Sequence, residues 1–229
     1  MVNRKSESKK TIFIVDDHPM TRFGIQELIH ADATLTIVGE SDNAEDTLEK
    51  VQKIKPDLLL VDLTLKGRSG LELIKDLRKV QPEIEILVFS MHEETFYAER
   101  VLRAGARGYV MKSEGTEQLL QAIRTVLTGK VFVSDLVANN FLNKMTGRQT
   151  EASSSPVSRL TDRELEVLAM VGKARESRDI AKLLSMSVKT VEAHRASIRQ
   201  KLDIKTRAEL VRFAVLWMAE TGADEISTP

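Results

Sequence analysis

Leu58-Leu59-Leu60-Val61-Asp62 is a run of four aliphatic residues that ends on a carboxylate. Three other stretches repeat its form. Thr11-Ile12-Phe13-Ile14-Val15 runs into Asp16-Asp17, Ile84 to Phe89 runs into Ser90, and Tyr109-Val110-Met111 runs into Lys112. Short, nearly continuous apolar runs separated by helix-length segments read as strands of a parallel sheet buried on both faces. In such a sheet all strand C-termini lie on one edge, where ligands bind. One edge therefore collects three carboxylates, a hydroxyl and an ammonium, the make-up of a divalent-metal and phosphoryl-transfer pocket.

Outward from these runs, strand and helix signals alternate five times between Thr11 and about Gly129. Pro19 suits the first position of a helix running to about His30. Leu35 to Gly39 reads as the second strand. Asn43 caps a helix that stops near Ile54, ahead of Pro56. Gly67-Arg68-Ser69-Gly70 is a loop, and Leu71, Ile74 and Leu77 carry a helical face toward Pro82. Glu93 to Ala104 is helical with Gly105 as its stop, and Thr116 to Thr128 closes the series. Repeated βα units predict an α/β doubly wound, five-stranded parallel sheet with right-handed crossovers. Ser134 to Met145 is a further helix, and the polar, small-residue segment from Thr146 to Pro156 reads as a flexible linker.

Past the linker no strand signal survives. Thr161 or Asp162 caps a helix with Leu165, Val167, Leu168 and Val171 inward. Ser177 caps Arg178 to Leu184. A short break leads to Val188 to Leu202, and a last helix spans Thr206 to about Ala219. Two helices joined by a short turn, the second rich in cations, fit a helix-turn-helix. The predicted organisation is residues 10–130, 131–158 (helix and linker) and 159–222, the last an all-α four-helix domain.

Composition narrows the function classes. Hydrophobic residues at 42% suffice to build cores in 229 residues, a length suited to two domains. With no cysteine, disulfides and thiolate chemistry are excluded. No apolar run approaches the roughly 20 residues of a membrane span, and a strand-like run follows the basic N-terminus in place of a signal core, so a cytoplasmic protein is expected. Formal net charge is zero, yet residues 159–212 hold 13 Lys/Arg against 8 Asp/Glu. The C-terminal part is therefore mildly basic on an acidic remainder.

Three neighbouring carboxylates repel unless a cation neutralises them, and Mg²⁺ does so with oxygen ligands and waters. A carboxylate also serves as nucleophile toward a phosphoryl group, in chemistry dominated by positioning and charge neutralisation. Each residue alone has a plainer reading: Asp17 or Asp62 as a helix cap, Lys112 as a solvated cation, Ser90 as a turn residue, Tyr109 as core. Their joint order at successive strand ends favours a site. The segment from Lys10 to Gly129 resembles a response-regulator receiver domain, a flavodoxin-like fold. Asp16-Asp17-His18-Pro19, Val61-Asp62-Leu63, Ser90-Met91-His92 and Gly105 through Lys112 carry the likeness. It implies that Asp62 is the phosphoacceptor. Asp17, Asp62 and the Thr64 carbonyl would bind Mg²⁺, with Asp16 acting largely through water. Ser90 and Lys112 would contact the phosphoryl group, Tyr109 would be the switch aromatic, and Thr64 and His92 would sit where the family tunes autodephosphorylation. Two departures stand out: Lys66 replaces the usual Pro after the phosphoacceptor, and Ser113 replaces Pro after Lys112.

On the Val188 to Leu202 helix, Val191, Ile198 and Leu202 share one face and the cations the other. A solvated face is the bland reading; the short turn before it and the local positive balance favour a helix that enters a major groove. Residues Arg159 to Ala219 resemble the LuxR-type DNA-binding domain, through Leu160-Thr161-Asp162-Arg163-Glu164, Asp179 to Leu184, Ser187 to Arg195 and Arg207 to Val211. Asp162 stands where Pro is frequent. Ala174 stands where Gly is frequent, which predicts a different turn after the first helix of this domain. The resemblance implies that Glu192, Ala193 and Ala196 face bases while Lys189, Thr190, His194, Arg195 and Arg199 hold phosphates. With such small base-facing side chains, shape readout is expected to carry much of the specificity.

Together these likenesses identify the chain as similar to response regulators of the NarL/FixJ subfamily. They imply phosphorylation of Asp62 by a histidine kinase or small phosphodonor, a homodimer on activation joined through the last helix, and binding to double-stranded DNA at inverted half-sites. The chain would accept a phosphoryl group without being a turnover enzyme. An alternative is a phosphorylation-independent LuxR-type regulator with a vestigial pocket. A phosphatase of the haloacid-dehalogenase kind needs a second Asp two residues after the nucleophile, where this chain has Thr64. A nucleotide-binding module lacks its Gly-rich loop.

Overall fold

A computed structural model describes residues 9–65, 68–146, 156–184 and 186–220. Lys66 and nearly all of the expected linker lie outside the described residues. The chain divides into two compact units, the first ending at Ala138 and the second beginning at Asn139.

The first unit holds five parallel strands: β1 (Lys10–Val15), β2 (Leu35–Ser41), β3 (Leu58–Val61), β4 (Glu85–Ser90) and β5 (Gly108–Met111). Their order is β2-β1-β3-β4-β5. The interior of β1 and all of β3 are buried on both faces, as continuous aliphatic runs require. The connecting helices are α1 (Pro19–His30), α2 (Ala44–Ile54), α3 (Gly70–Val80), α4 (Glu94–Ala104) and α5 (Thr116–Leu127). Ile25 and Ile29 of α1 and Leu119, Ala122, Ile123 and Val126 of α5 form one core with Ile12, Ile14, Leu58, Leu60 and Leu87. The remaining helices, α2 to α4, pack side by side.

The helix boundaries follow local chemistry. Pro19 occupies the start of α1, the Asn43 side chain caps α2, and Gly105 ends α4 with a left-handed φ of 111°. Strand β2 runs two residues past the predicted Gly39, because Glu40 and Ser41 continue to pair with Ile14 and Val15. Beyond α5, Phe132 bridges to Gly108 and accepts the Tyr109 N–H at 2.9 Å, so the chain adds one further bridge beside β5 before α6 (Asp135–Met145).

The second unit is helical: a short 3₁₀ turn (Pro156–Arg159), then α7 (Asp162–Gly172), α8 (Ser177–Leu183), α9 (Val188–Lys201) and α10 (Arg207–Glu220). Thr161 and Glu164 form a reciprocal capping box on α7. Leu165, Val167, Leu168 and Val171 are buried with Ile180, Val191, Ile198, Leu210 and Ala214. Two local expectations are corrected. The N-cap of α8 is Glu176, and Ser177 is its first helical residue. Its hydroxyl is drawn to α9 rather than to its own backbone. Ala174 has φ 55°, so the turn after α7 keeps the left-handed conformation that glycine favours and the alanine is strained within it.

Candidate functional site: an acidic pocket and a basic helix

In this strand order the direction of winding reverses between β1 and β3, which is where ligands sit in open α/β sheets. Val15 pairs with Val61, and the Asp62 N–H donates to the Val15 carbonyl at 2.8 Å. Asp16 and Asp62 therefore emerge side by side. One strand over, Ser90 pairs with Met111, and the Lys112 N–H donates to the Ser90 carbonyl at 2.8 Å. Four strand ends thus meet at one point.

Asp62 is only 3% exposed. Its Oδ1 accepts the Ser90 hydroxyl at 2.7 Å and the Thr64 N–H at 3.2 Å; its Oδ2 accepts the Lys112 ammonium at 2.6 Å. The same ammonium lies 2.7 Å from Asp16 Oδ2. Burial acts to lower the Lys112 pKa, but the Asp62 and Asp16 carboxylates outweigh it and raise it above the ordinary lysine value. Lys112 is thereby fixed as a cation. For Asp17, burial raises the carboxyl pKa and repulsion from Asp62 and Asp16 adds to it, against the opposing pull of His18.

The pocket also contains an unmet acceptor. Asp17 Oδ1 is buried and accepts no hydrogen bond, with His18 Nδ1 2.7 Å away as an ion-pair partner when the ring is protonated. Asp16, Asp17, Asp62 and His18 bring ligand atoms within 4.8 Å of one another. Clustered hard oxygens with one left unsatisfied fit a divalent cation.

Tyr109 is 1% exposed and donates its hydroxyl to the His92 carbonyl at 2.7 Å. Burial pushes its pKa far above the ordinary value, with Tyr97 and Asp62 adding to the effect. The His92 ring is 3.2 Å from the Thr64 hydroxyl and its centroid 4.7 Å from that of Tyr97.

In the second unit, Val191 and Ile198 anchor α9, leaving Lys189, Thr190, Ala193 and Ala196 exposed and His194, Arg195 and Arg199 half-buried. Arg199 donates to the Lys205 carbonyl at 3.2 Å. Glu192 is bound on both oxygens: Oε1 accepts the Ser177 hydroxyl at 2.5 Å and Oε2 accepts Arg207 at 2.7 Å.

Residues 12–124 match the response regulator receiver domain family, and residues 158–214 match the bacterial regulatory proteins of the luxR family. The oxygen regulatory protein NreC of Staphylococcus haemolyticus is 36% identical over 208 residues, spanning 89% of this chain and 96% of its own. The chain belongs to the NarL/FixJ subfamily of response regulators. Among solved structures, RcsB from Salmonella enterica serovar Typhimurium, bound to a promoter in the presence of the phosphomimetic BeF₃⁻, is 25% identical with a TM-score of 0.56, covering 91% of this chain and 100% of that one. A structure of two RcsB dimers on two parallel DNAs is 26% identical with a TM-score of 0.55, over 91% and 98%.

The regulator carries a receiver and a LuxR-type DNA-binding domain, and among its described residues no helix is long and apolar enough to cross a membrane. Its fold brings together Asp16, Asp17, Asp62, Ser90 and Lys112, and sets Thr64 and Tyr109 around them. Two supporting residues escaped the sequence reading, and a third, His92, was named there without its contact. Arg22 of α1 donates to the Asp16 carbonyl at 2.7 Å. Gly70 packs so closely that a Cβ there would sit 2.1 Å from the Asp62 carbonyl oxygen. The His92 ring faces Thr64. Gly70 carried a faint sequence signal, a glycine closing the Gly67-Arg68-Ser69-Gly70 loop where any helix former would otherwise serve.

Proposed function

We propose that this regulator is a phosphorylation-driven transcription switch in which Asp62 is the phosphoacceptor. The carrying observation is that Asp62, almost wholly buried at the sheet edge, meets one fixed cation, one hydroxyl donor and two further carboxylates. A carboxylate oxygen of Asp62 bonds to phosphorus as the bond between phosphorus and the donor breaks, and the leaving group departs with that electron pair. Lys112, now paired to Asp62 and Asp16, is placed to take up the negative charge of the transferred group, and Ser90 donates its hydroxyl to it. Asp17, Asp62 and the Thr64 carbonyl would hold Mg²⁺, with Asp16 acting through water. When bound, the ion neutralises the crowded carboxylates and the phosphoryl oxygens. Ser90 and Tyr109 then carry the change outward from the pocket.

The proposed donor is a histidine kinase or a small phosphodonor. The readout is a homodimer, joined through α10, on double-stranded DNA in the cytoplasm. Its three segments are a receiver over 10–130, a helix and linker over 131–158, and a DNA-binding domain over 159–222. Lys189, Thr190, His194, Arg195 and Arg199 meet phosphates while Ala193 and Ala196 face base edges. RcsB, seen as dimers on DNA and with a phosphomimetic, supports this order of events. Moving a two-state equilibrium from about 1:99 to 99:1 takes roughly 5.5 kcal/mol of differential stabilisation, within reach of several charged hydrogen bonds at about 1.5–3 kcal/mol each.

The test is mass spectrometry of the full chain after exposure to acetyl phosphate and Mg²⁺, beside Asp62→Asn. We expect one phosphoryl group on the peptide holding Asp62, lost in the variant and on chelation of the ion. No mass gain, or an equal gain on the variant, overturns the proposal.

A further inference from the structure

We propose that Glu192 is a positioning residue of the recognition helix rather than a reader of bases, and that Ser177 and Arg207 hold it in that role. The inference rests on the DNA-binding reading above and changes the part assigned to one residue within it.

The geometry ties three helices to one carboxylate. Ser177, the first residue of α8, donates its hydroxyl to Glu192 Oε1 at 2.5 Å. Arg207, the first residue of α10, donates to Oε2 at 2.7 Å. Arg195, one turn further along α9, donates to the Ser177 oxygen at 2.6 Å. The Ser177 hydroxyl therefore accepts from one α9 side chain and donates to another, closing a ring between scaffold and recognition helices. This is why its hydroxyl is not spent on capping α8.

Reading a base would require the carboxylate to accept from an exocyclic amine, as Asp and Glu do from cytosine. Each Glu192 oxygen already accepts one of these donors, so a base amine would have to meet a remaining acceptor site on a carboxylate held in place. Turning the carboxylate toward a base would take the acceptor from the half-buried Ser177 hydroxyl and release Arg195 from its orientation. The Ser177 hydrogen bond, aided by Arg207 and Arg195, holds the Glu192 carboxyl below its ordinary pKa, so the group stays an anion and the ring stays closed. The Arg207 side chain is 75% exposed, and such a pair is weak by itself. The bridge through the half-buried Ser177 is the stronger anchor. Base discrimination then falls to the exposed Ala193 and Ala196, and to DNA shape.

The experiment selects a preferred site from a randomised duplex pool with the wild-type full chain. Affinities for that site and its single-base variants are then measured for Glu192→Ala, Glu192→Gln, Ser177→Ala, Ser177→Thr, Arg207→Ala and Arg207→Lys. We expect Glu192→Ala and Ser177→Ala to weaken every duplex by a shared factor, about 3–10-fold, as loss of one partly exposed hydrogen bond of ordinary net strength predicts. The rank order of the base variants should stay unchanged. Ser177→Thr and Arg207→Lys, which keep the donors, should bind like wild type, with the base preference unchanged. Where Glu192→Ala fails to fold, Glu192→Gln carries the same comparison with a partial loss. A changed base preference in the Glu192 variants, with Ser177→Ala leaving preference and affinity untouched, overturns the proposal. A pool from which the wild type enriches no sequence overturns the DNA-binding reading, and this inference with it.

Discussion

At Ala174 the backbone adopts φ 55° with a methyl group in place. For an L-residue this conformation costs roughly 1–2 kcal/mol relative to the right-handed region, and glycine removes that cost while adding about 0.4–1 kcal/mol of unfolded-chain entropy. Ala174→Gly should therefore stabilise the second unit by roughly 0.5–1 kcal/mol, read as a rise in melting temperature of a few degrees. A fall would show that the methyl makes a contact worth more than the strain. Single residues were also where the sequence reading was least complete. Asp16, Asp17, Asp62, Ser90 and Lys112 were legible because each stands at the C-terminal end of one of four strands, so one-dimensional order points to their meeting. Arg22 on the Asp16 carbonyl, the His92 ring on Thr64, and Glu192 between Ser177 and Arg207 were not. Each is a bond between elements, set by packing that no local pattern encodes.

Among the elements, α7 shows how a cap serves the whole domain. Glu164 closes the capping box and is also bonded by Lys201 at 2.6 Å and Ser197 at 2.6 Å from α9. Burial acts to raise its pKa, but the bonds from Lys201, Ser197 and Thr161 outweigh it and hold the carboxyl at about 2, down from 4.5. A lowered folded-state pKa means that the unfolded chain binds the proton more readily between these values. The stabilisation is thus present above about pH 4.5 and is lost as pH falls toward about 2. Trp217, buried at 6% exposure and the sole tryptophan of the chain, reports on this unit alone. In urea melts followed by its fluorescence, the midpoint should fall between pH 5 and pH 3 in the wild type. Glu164→Gln should start lower and change less over that range; parallel curves would refute the assignment. Helix ends of this kind were largely readable, since Asn43, Pro19, Gly105 and Thr161 act on their own backbone. Ser177 was misread because its hydroxyl serves another helix.

For the whole molecule, two sequence periodicities separate an α/β half from an all-helical half, while the compact units divide at Ala138 and Asn139, within α6 and ahead of the expected linker. The order β2-β1-β3-β4-β5 then explains why chemistry collects where it does: it puts Asp16 and Asp62 at the reversal of winding, flanked by Ser90 and Lys112. If Asp62 takes the phosphoryl group, as proposed, the pocket stores a signal for the DNA-binding unit. The most direct test is the affinity of the full chain for its selected duplex, measured with and without acetyl phosphate and Mg²⁺, beside Asp62→Asn. If the binding-competent fraction rises from about 1% to nearly all, wild-type affinity tightens by up to about 100-fold, and Asp62→Asn stays at the untreated value. Equal wild-type affinities under both conditions, or the same tightening in Asp62→Asn, would contradict the switch.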